Sequence, residues 1–430
     1  MRVLVLGGYG LIGLEIVRSL SRAGHEPVGF GRSAAMGKRL APDLDWRQGD
    51  MRRLLSADDW VVHLDGIDAV VNAAGALQDG PRDDLSAVHD AAICALVAAC
   101  ERQGVKRFVQ ISAPGAMAEA RTAFLATKAA GDAAVRASGM EWTVLKPGLV
   151  ISAGAYGGTA LLRMLAAFPW VQPVVLAEAR VQTVAGVDVG EAVRVVLANE
   201  VPARRDYVLV EDGTHSLGDV VKAVRGWAGR DEAPLWRLPR WFGFGAARLA
   251  DFAGMLGWRS PLRTTALKSL ADGVAGDPRP WKAAGGFPLK SLGETLALLP
   301  STVQERVFGR AQLVLPALLL ALSAFWLMSG AIGFIQRDAA AEVLAGRVDA
   351  GVAEWLVGLG VVTDLAIGVG LLFRKWTVRA ALSSIVVSAG YLAAGTWLTP
   401  ELWADPLGPF VKVFPAMALS LAVAALLEER

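Results

Sequence analysis

Two residue types that build compact structural and metal sites are scarce in this chain of 430 residues. It has only two cysteines and four histidines. Cys94 and Cys100 lie in one helical stretch, so the sequence argues against a disulfide framework and favours a reducing compartment. No histidine stands in an HExxH spacing and no CxxC pair occurs, so there is no case for a zinc site.

An excess of one charge sign is also missing. Lys and Arg number 43 and Asp and Glu 41, a net charge of +2, so nothing in the charge indicates a nucleic-acid partner. The opening "MRVLVLGGYG" lacks the long apolar region and cleavage site of a signal peptide. The hydrophobic fraction of 54% is high for a soluble protein, and long uncharged runs begin only after residue 310. This length and asymmetry predict two or three domains.

The first thirty residues have the pattern of strand, glycine turn, helix and strand. We predict a strand over 3–6, a helix over 11–20 and a second strand over 27–30. Gly7, Gly10 and Gly13 between them form G-x-x-G-x-x-G. In that context glycines permit a tight turn, close approach of a pyrophosphate and close packing of the helix on the sheet. The alternative is an ordinary glycine-rich turn.

The residues after the second strand bear on the choice of cofactor. An acidic residue there would bond a ribose 2′-OH, but the chain has Arg32 and Ser33. A guanidinium and a hydroxyl suit a 2′-phosphate. The sequence therefore favours NADP(H), with NAD still open and a solvated surface Arg32 as the alternative.

Alternation of strands and helices continues to about residue 200. Further strands are predicted over 45–51, 68–75, 106–113 and 141–148, with helices through Cys94 and over 123–139. This pattern predicts an α/β fold with a doubly wound parallel Rossmann sheet. We expect three domains: a nucleotide-binding domain (1–200), a small substrate-side and linker region (201–305) and a membrane domain (306–430).

Several stretches resemble the atypical, extended-like short-chain dehydrogenase/reductases, a group that includes isoflavone-reductase-like proteins and a nucleotide-binding accessory subunit of respiratory complex I. They are "GGYGLIG", "GDM", "VVNAAGA", "GVKRFVQISA", "TKAAGDAAVRASGMEWTVLKPG" and "VQTVAGVDVGEAVRVVL". The resemblance implies a cofactor site made of several groups of residues. These are Gly7, Tyr9, Gly10, Leu11, Ile12 and Gly13 at the pyrophosphate, Arg32 and Ser33 at the adenosine phosphate, Asp50 and Met51 at the adenine, Ala73, Ala74 and Gly75 at the nicotinamide half, Lys128 at the ribose, and Pro147 with Gly148 under the nicotinamide ring.

One departure from the resembled family concerns its proton donor. The family carries Tyr four residues before Lys, but here Phe124 precedes Lys128, and Y-x-x-x-K occurs nowhere in the chain. A phenyl ring cannot donate a proton, and packing is its simplest role. Ser112 matches the family's catalytic serine, although its hydroxyl would equally suit a strand cap. Tyr156, in a glycine-rich loop, is a candidate substitute acid.

The region after residue 200 contains a stretch suited to a membrane surface. "LWRLPRWFGFGAARLADFAGMLGWR" combines aromatic residues with arginines, as helices in the headgroup layer do. The alternative is a core helix with snorkelling arginines. His215, in the turn "DGTHS", is predicted to be a solvated turn residue.

The last third of the chain predicts an all-α four-helix transmembrane bundle. Uncharged or nearly uncharged runs cover 311–334, 351–373, 380–398 and 406–427, each near the length that crosses a bilayer. With its preceding bridge, this part resembles the DoxX-like membrane family. Arg306 and Arg310 before the first run, and Arg374, Lys375 and Arg379 between the second and third, place both termini and the Rossmann domain in the cytosol. The expected location is a bacterial-type inner membrane.

Asp364 lies inside the second run and shares a helix face with Gly360 and Gly368. Two interpretations stay open: a proton path or contact to a lipophilic molecule, or an Asp bonded across helices.

Two functions are consistent with these patterns. One is a membrane-anchored NAD(P)(H)-binding oxidoreductase with a lipophilic acceptor such as a quinone or lipid carbonyl. The other is a catalytically silent NADP(H)-binding sensor or assembly module of the membrane domain, which Phe124 favours. A transporter with a soluble appendage is a third alternative. The bilayer is the expected partner in each case.

Overall fold

Parallel strands form the centre of the N-terminal part of the protein. The computed structural model describes residues 1–81, 83–258, 260–344 and 346–427. One seven-stranded parallel sheet has the order β11-β6-β5-β4-β1-β2-β3. Its strands are β1 (Arg2–Leu6), β2 (Glu26–Gly31), β3 (Asp45–Gln48), β4 (Ala69–Asn72), β5 (Arg107–Ile111), β6 (Glu141–Pro147) and β11 (Arg205–Leu209).

Helices cover both faces of this sheet. They are α1 (Leu11–Arg22), α2 (Ala34–Leu40), α3 (Ala57–Leu64), α4 (Ala92–Arg102), α5 (Ala123–Ala137) and α7 (Gly186–Leu197). Alternate residues of β1 enter separate cores: Val3 and Val5 pack with α1 and α7, while Leu4 and Leu6 pack with α3 and α4. A strand buried on both faces accounts for the unbroken apolar run that predicted it. The predicted doubly wound fold is confirmed.

A smaller region, called the substrate-side region after its predicted role, follows the carboxyl ends of β6 and β11. It contains three two-stranded pairs and several helices. Its strands are β7 (Leu149–Ile151), β8 (Gln172–Val175), β9 (Arg180–Val181), β10 (Thr183–Ala185), β12 (His215–Ser216) and β13 (Leu235–Leu238), paired as β7–β10, β9–β12 and β8–β13. Its helices are α6 (Gly158–Ala166), α8 (Leu217–Trp227), α9 (Arg240–Met255), α10 (Thr264–Ala271), α11 (Arg279–Ala283) and α12 (Leu292–Leu298).

The chain divides into two compact units. The first comprises Met1–Phe252 and Ser260–Gly309, and the second runs from Arg310 onward together with a short segment that begins at Ala253. The helices of the C-terminal part are α13 (Val303–Ile335), α14 (Arg337–Leu344), α15 (Ala350–Leu372), α16 (Thr377–Leu398) and α17 (Val413–Leu426). Among the described residues, α13, α15 and α16 are long and apolar enough to cross a membrane.

The fourth predicted span is wrong in its extent. The helix α17 has 14 residues rather than the full run over 406–427. At 1.5 Å per residue it is about 21 Å long, short of the ~30 Å hydrocarbon core. Pro406 and Pro409 cannot supply a backbone N–H, and Gly408 takes φ +58° between them. Turns therefore replace the first part of the expected helix.

Candidate functional site

The candidate site lies along the carboxyl edge of the seven-stranded sheet. The chain runs from β1 outward to β3 on one side and from β4 to β11 on the other. In doubly wound sheets, ligands bind outside the strand ends at this reversal. The predicted residues follow successive strands: the loop 7–13 follows β1, Arg32 and Ser33 follow β2, Asp50 and Met51 follow β3, Ala73, Ala74 and Gly75 follow β4, Ser112 follows β5, and Pro147 ends β6.

Two glycines of the first loop have no room for a side chain. Gly7 takes φ +69°, and a Cβ there would lie 2.9 Å from the carbonyl oxygen of Ala73. A Cβ on Gly13 would lie 2.1 Å from the carbonyl oxygen of Gly7. The loop therefore packs directly against its own helix and against the backbone after β4. A larger residue at either position would displace backbone atoms.

The amino terminus of α1 is open to an anion. Gly10 is the N-cap and provides no side-chain hydrogen bond, and the first turn contains no acidic residue. Backbone N–H groups at such a terminus, with the partial positive charge of the helix dipole, favour a phosphate. The glycine loop and this uncapped helix fit a dinucleotide pyrophosphate.

The other residues of the loop close the site on either side. The ring of Tyr9 covers Gly31, where a Cβ would lie 2.4 Å from Tyr9 Cε1. Leu11 extends toward Gly154, with its Cδ1 3.2 Å from a Cβ built there. Ile12 packs against the core beneath α1. These three side chains support the loop in this structure.

Ion pairs and caps occupy the adenosine side. Arg32 Nη1 lies 3.0 Å from Asp83 Oδ1, and Ser33 accepts a hydrogen bond from the backbone N–H of Met36 as the N-cap of α2. Asp50 binds Arg52 at 2.5 Å, and hydrogen bonds from that guanidinium hold the pKa of Asp50 below its usual value. Ser33 therefore caps α2 in this structure, and its role at an adenosine phosphate stays a prediction.

A cavity of about 700 Å³ adjoins this side of the site. Its lining mixes both charge signs: Arg52, Arg53, Asp79, Asp83, Asp84 and Ser86, with Thr127 from α5. Met51, predicted to lie at the adenine, is buried with 6% of its surface exposed and belongs to the core under β2.

A buried histidine fixes the loop after β4. His89 Nε2 accepts the backbone N–H of Ala76 at 3.1 Å, so its Nδ1 carries the proton and donates to Thr127 Oγ1 at 3.0 Å. Thr127 then donates to the carbonyl of Ala123 at 2.8 Å. Burial, with a smaller contribution from Lys128, lowers the pKa of His89 to about 2. His89 is therefore a neutral brace between this loop and α5.

The buried Lys128 points at the end of β5. Its Nζ donates to the carbonyl oxygen of Ile111 at 3.0 Å, and burial lowers its pKa. A Cβ built on Gly75 would lie 3.6 Å from this Nζ. The ammonium group and the predicted nicotinamide segment are therefore neighbours, as the resemblance implied.

Ser112 and Asp132 form a second buried polar pair beside this lysine. The Ser112 hydroxyl donates to Asp132 Oδ2 at 2.5 Å. Burial raises the pKa of Asp132, and the hydrogen bond from Ser112 opposes that rise. In this arrangement the serine hydroxyl is bonded inward, to α5. Neither role considered for Ser112 from the sequence included this partner.

Phe124 fills the position of the missing tyrosine by packing. Its ring meets the His89 ring at 5.7 Å between centroids, at 70°, and Lys128 Nζ lies 5.9 Å from its centroid. The ring covers the lysine without offering a proton. Tyr156, the proposed substitute acid, is 43% exposed in the turn before α6.

The end of β6 is closely packed from the substrate side. Pro147 pairs with Leu209 of β11, and the Gly148 N–H donates to the Leu209 carbonyl at 3.0 Å. A Cβ on Gly148 would lie 2.5 Å from the carbonyl oxygen of Gln182. Glycine is therefore required where β6 leaves the sheet.

His215 is not the solvated turn residue that the sequence indicated. It lies in β12, and its Nε2 is 3.0 Å from the buried carboxyl of Glu211. Glu211 also accepts the backbone N–H groups of Thr183 and Leu292, at 3.0 and 2.9 Å. The carboxyl of Glu211 thus joins three segments of the substrate-side region. The pairing depends on tertiary contacts that a turn motif does not reveal.

In the C-terminal unit, Asp364 is bonded across helices. It accepts hydrogen bonds from Ser329 of α13 at 2.6 Å and from Tyr391 of α16 at 2.8 Å. These contacts match the second interpretation of Asp364, an Asp bonded across helices.

Comparisons with known proteins agree with this division of the chain. Residues 7–163 match an NAD(P)H-binding family, and residues 323–421 match the DoxX-like family. The N-terminal part is therefore similar to NAD(P)H-binding domains of the Rossmann fold, and the C-terminal part is similar to the DoxX-like family.

A curated relative is the 3β-hydroxysteroid dehydrogenase/Δ5→4-isomerase of Mycobacterium tuberculosis. It is 33% identical over 119 residues, which are 26% of this chain and 31% of the relative. The chain thus matches about a third of the length of this curated relative.

Solved structures share the fold of the N-terminal part. UDP-glucose 4-epimerase of Thermus thermophilus in complex with NAD is 19% identical, with a TM-score of 0.53 over 69% of this chain and 98% of its own. The Bordetella bronchiseptica enzyme WbmH in complex with NAD⁺ is 17% identical, with a TM-score of 0.52 over 69% of this chain and 96% of its own. UDP-glucose 4-epimerase of Thermotoga maritima is 17% identical, with a TM-score of 0.54 over 73% of this chain and 100% of its own.

Proposed function

We propose that the protein is a membrane-anchored NADP(H)-dependent oxidoreductase whose acceptor is a lipophilic quinone or lipid carbonyl. The observation that carries this proposal is the juxtaposition, at one sheet edge, of a pyrophosphate cradle and a buried lysine. Gly7 and Gly13 form the cradle with the uncapped start of α1, and Gly75 lies beside Lys128 Nζ. The nicotinamide supplies hydride transfer when it is bound.

The protein's own residues would hold the reacting parts. Lys128 supplies a positive charge and N–H donors for the nicotinamide ribose. His89 and Thr127 hold the segment after β4 at a fixed distance from α5. Phe124 shields Lys128 from solvent. A quinone acceptor suits this site because the proton that completes its reduction can come from water rather than a tyrosine.

The preference for NADP(H) over NAD(H) rests on the residues after β2 and β3. Arg32 follows β2 where an acidic residue would accompany NAD. Arg53 is exposed in the adjoining cavity and adds a second guanidinium within the same region. The ion pair of Arg32 with Asp83 would open or be shared when a 2′-phosphate binds.

A lipophilic acceptor is supported by the fusion and by the curated relative. The relative's name describes a dehydrogenase of a hydroxysteroid, which is a lipophilic substrate. Arg306 and Arg310 near the start of α13, with Arg374 and Lys375 between α15 and α16, favour a cytosolic Rossmann domain with both termini on the same side of a bacterial-type inner membrane. A substrate dissolved in the bilayer would then be available at the surface of that membrane.

A second candidate is favoured by Phe124. Because this ring replaces the proton donor and Ser112 is bonded to Asp132, the site would also suit a silent NADP(H)-binding sensor or assembly module. Such a protein would bind the nucleotide without turnover and regulate the membrane domain.

Stopped-flow oxidation of bound NADPH separates the two candidates. The full chain is purified in detergent, its nucleotide content determined, and NADPH absorbance followed with a series of quinones and with lipid aldehydes. The oxidoreductase predicts rapid oxidation by at least one acceptor class. NADPH that stays bound and unoxidised with every acceptor would support the sensor.

Phe124→Tyr provides the matching variant for carbonyl substrates. The hydroxyl would stand four residues before Lys128, as in the resembled family. We expect carbonyl reduction to appear or to increase at least about 100-fold, the lower end of the range for a positioned general acid. Unchanged carbonyl reduction in a folded, nucleotide-bound variant would show that more than the donor is missing.

A further inference from the structure

The helix α9 has its large apolar residues on the outside. Trp241, Leu249, Phe252 and Met255 recur at helical spacing and are exposed, with Trp241 at 75% and Leu249 at 72%. The opposite face contains the small buried residues Gly243, Ala247 and Gly254. This arrangement is the reverse of a helix that packs its apolar stripe on a protein core.

The inward face is firmly attached to the first unit. A Cβ on Gly243 would lie 2.4 Å from Val175, so the helix touches β8 there. Asp251 accepts hydrogen bonds from Thr264 at 2.6 Å and from Gln78 at 2.9 Å. It also forms an ion pair with Arg263 at 3.2 Å. The outward direction of the large residues is therefore set by the fold.

Two further tryptophans lie on the ribbon that supports α9. Trp236 of β13 pairs with Pro173 of β8 and is 58% exposed, and Trp170, two residues before β8, is 82% exposed. Tryptophan prefers the interface between water and hydrocarbon, where its ring is buried and its N–H stays hydrated.

The end of α9 connects to the end of a membrane-length helix. Just beyond Met255, the carbonyl of Leu256 accepts the N–H of Arg374 at 3.1 Å, and Trp258 Nε1 donates to the carbonyl of Leu372 at 2.7 Å. Leu372 is the last residue of α15. The ends of spanning helices lie at the bilayer surface, so the residues that follow α9 would lie at the headgroup layer, beside the end of α15.

The charges on the exposed side match an anionic surface. Arg240 and Arg248 are exposed on α9, and arginines beside a membrane are attracted to anionic headgroups. Large exposed aliphatic and aromatic residues combined with arginines characterise helices that lie in the interface plane.

We propose that the outward face of α9, together with Trp170 and Trp236, inserts into the headgroup layer of an anionic bilayer. The occupant of this surface is the lipid leaflet in which α15 ends. Lipid contact of this face does not rest on the proposed function.

Depth-dependent fluorescence quenching tests the proposal with the full chain. A Cys94→Ser background removes the exposed cysteine, while Cys100 is buried. Single cysteines labelled with NBD are placed at Leu249→Cys on α9, at Val62→Cys on α3 as the solvent control, and at Val362→Cys on α15 as the bilayer control. All three positions are exposed in the protein.

Proteoliposomes containing phosphatidylglycerol and lipids spin-labelled at shallow or deep acyl positions report the location of each label. We expect the label at residue 249 to lose fluorescence to the shallow quencher and less to the deep one, while residue 62 is unaffected. Equal behaviour of residues 249 and 62 would overturn the proposal. A label at residue 249 that lipid quenchers do not reach, but that becomes shielded from solvent in detergent as the protein concentration rises, would identify a second copy as the occupant. That result would also overturn the proposal.

A charge variant tests the choice of anionic lipid without relying on catalysis. Arg240→Glu with Arg248→Glu should reduce quenching at residue 249 in phosphatidylglycerol and leave residue 362 unchanged. Identical quenching at residue 249 in the charge variant would refute the electrostatic part. Loss of NADPH oxidation with normal quenching would instead count against the proposed function alone.

Discussion

Substitution of Gly13 by alanine tests the nucleotide cradle most sharply. The new Cβ would lie 2.1 Å from the carbonyl oxygen of Gly7, where contacts below 3.0 Å are essentially never observed. The obstructing atoms are backbone, so the loop must move away from α1 by about 0.9 Å, the difference between those two distances. Such a shift takes the N–H groups of the helix start out of hydrogen-bond range of a pyrophosphate.

The magnitude follows from the bonds that this movement weakens. Losing one or two hydrogen bonds to a charged phosphate, at about 1.5–3 kcal/mol each, weakens binding by about 3 kcal/mol, or roughly 100-fold in Kd. Isothermal titration of NADPH into the detergent-solubilised full chain measures this change, with thermal unfolding as the check on folding.

Gly226→Ala is the matched control for this variant. Gly226 lies near the end of α8, and a Cβ there would meet nothing within 4 Å. Its Kd for NADPH should equal that of the unmodified protein. A folded Gly13→Ala protein that binds NADPH as tightly as the control would refute the assignment of the loop.

Three other predictions concern the remaining parts of the site. Arg32→Ala should weaken NADPH binding about tenfold or more while leaving NADH binding unchanged, since it removes a charged bond to the 2′-phosphate alone; equal effects in titrations of both nucleotides would contradict the assignment. Burial lowers the pKa of His89 to about 2, so its contribution is present above pH 6.5 and is lost as the pH falls below that value. Between pH 7.5 and pH 4.5, protonation of this histidine in the unfolded chain should lower the free energy of unfolding by about 2.7 kcal/mol. This figure is about 1.36 kcal/mol for each pH unit below 6.5. Melting temperatures of the unmodified protein should therefore fall more steeply between these pH values than those of His89→Gln, and parallel curves would contradict this. Lys128→Met should reduce NADPH affinity in the same titration without lowering the melting temperature, because a buried, desolvated charge is replaced by a side chain of similar length; a large loss of stability would show that the lysine is structural.

The sheet was predictable because its signals are local. An unbroken apolar run such as 3–6 identifies a strand buried on both faces, and the glycines after it identify the turn. The positions of the predicted cofactor residues at one edge then follow from the parallel topology alone. These features depend on residues close together in the sequence.

The polar supports of the site were not predictable for the opposite reason. His89 meets Thr127, and Ser112 meets Asp132, through contacts between separate elements. A weak signal existed for Asp132, which stands four residues after Lys128 on the same face of α5. No such spacing marks His89, which lies in a π-helical turn (Ala87–Ala91) before α4.

In the membrane part, hydropathy alone predicted the long helices but not the extent of the last one. Composition over 406–427 resembled a span, but a hydropathy window does not register that Pro406 and Pro409 break the hydrogen-bond pattern of a helix. The outward face of α9 is the converse case. Its aromatic and arginine content indicated an interface, but only the fold shows which of its faces is turned outward.

Deuterium transfer is the most direct test of the proposed oxidoreductase activity. The full chain in proteoliposomes is given NADPH carrying deuterium at the transferred C4 position, with a quinone or a lipid aldehyde as acceptor. We expect oxidation that is slowed by the deuterium and, with the aldehyde, deuterium on the carbinol carbon of the alcohol product. Tightly bound NADPH that transfers no deuterium and is not consumed with any acceptor would contradict the proposed oxidoreductase activity and favour a nucleotide sensor.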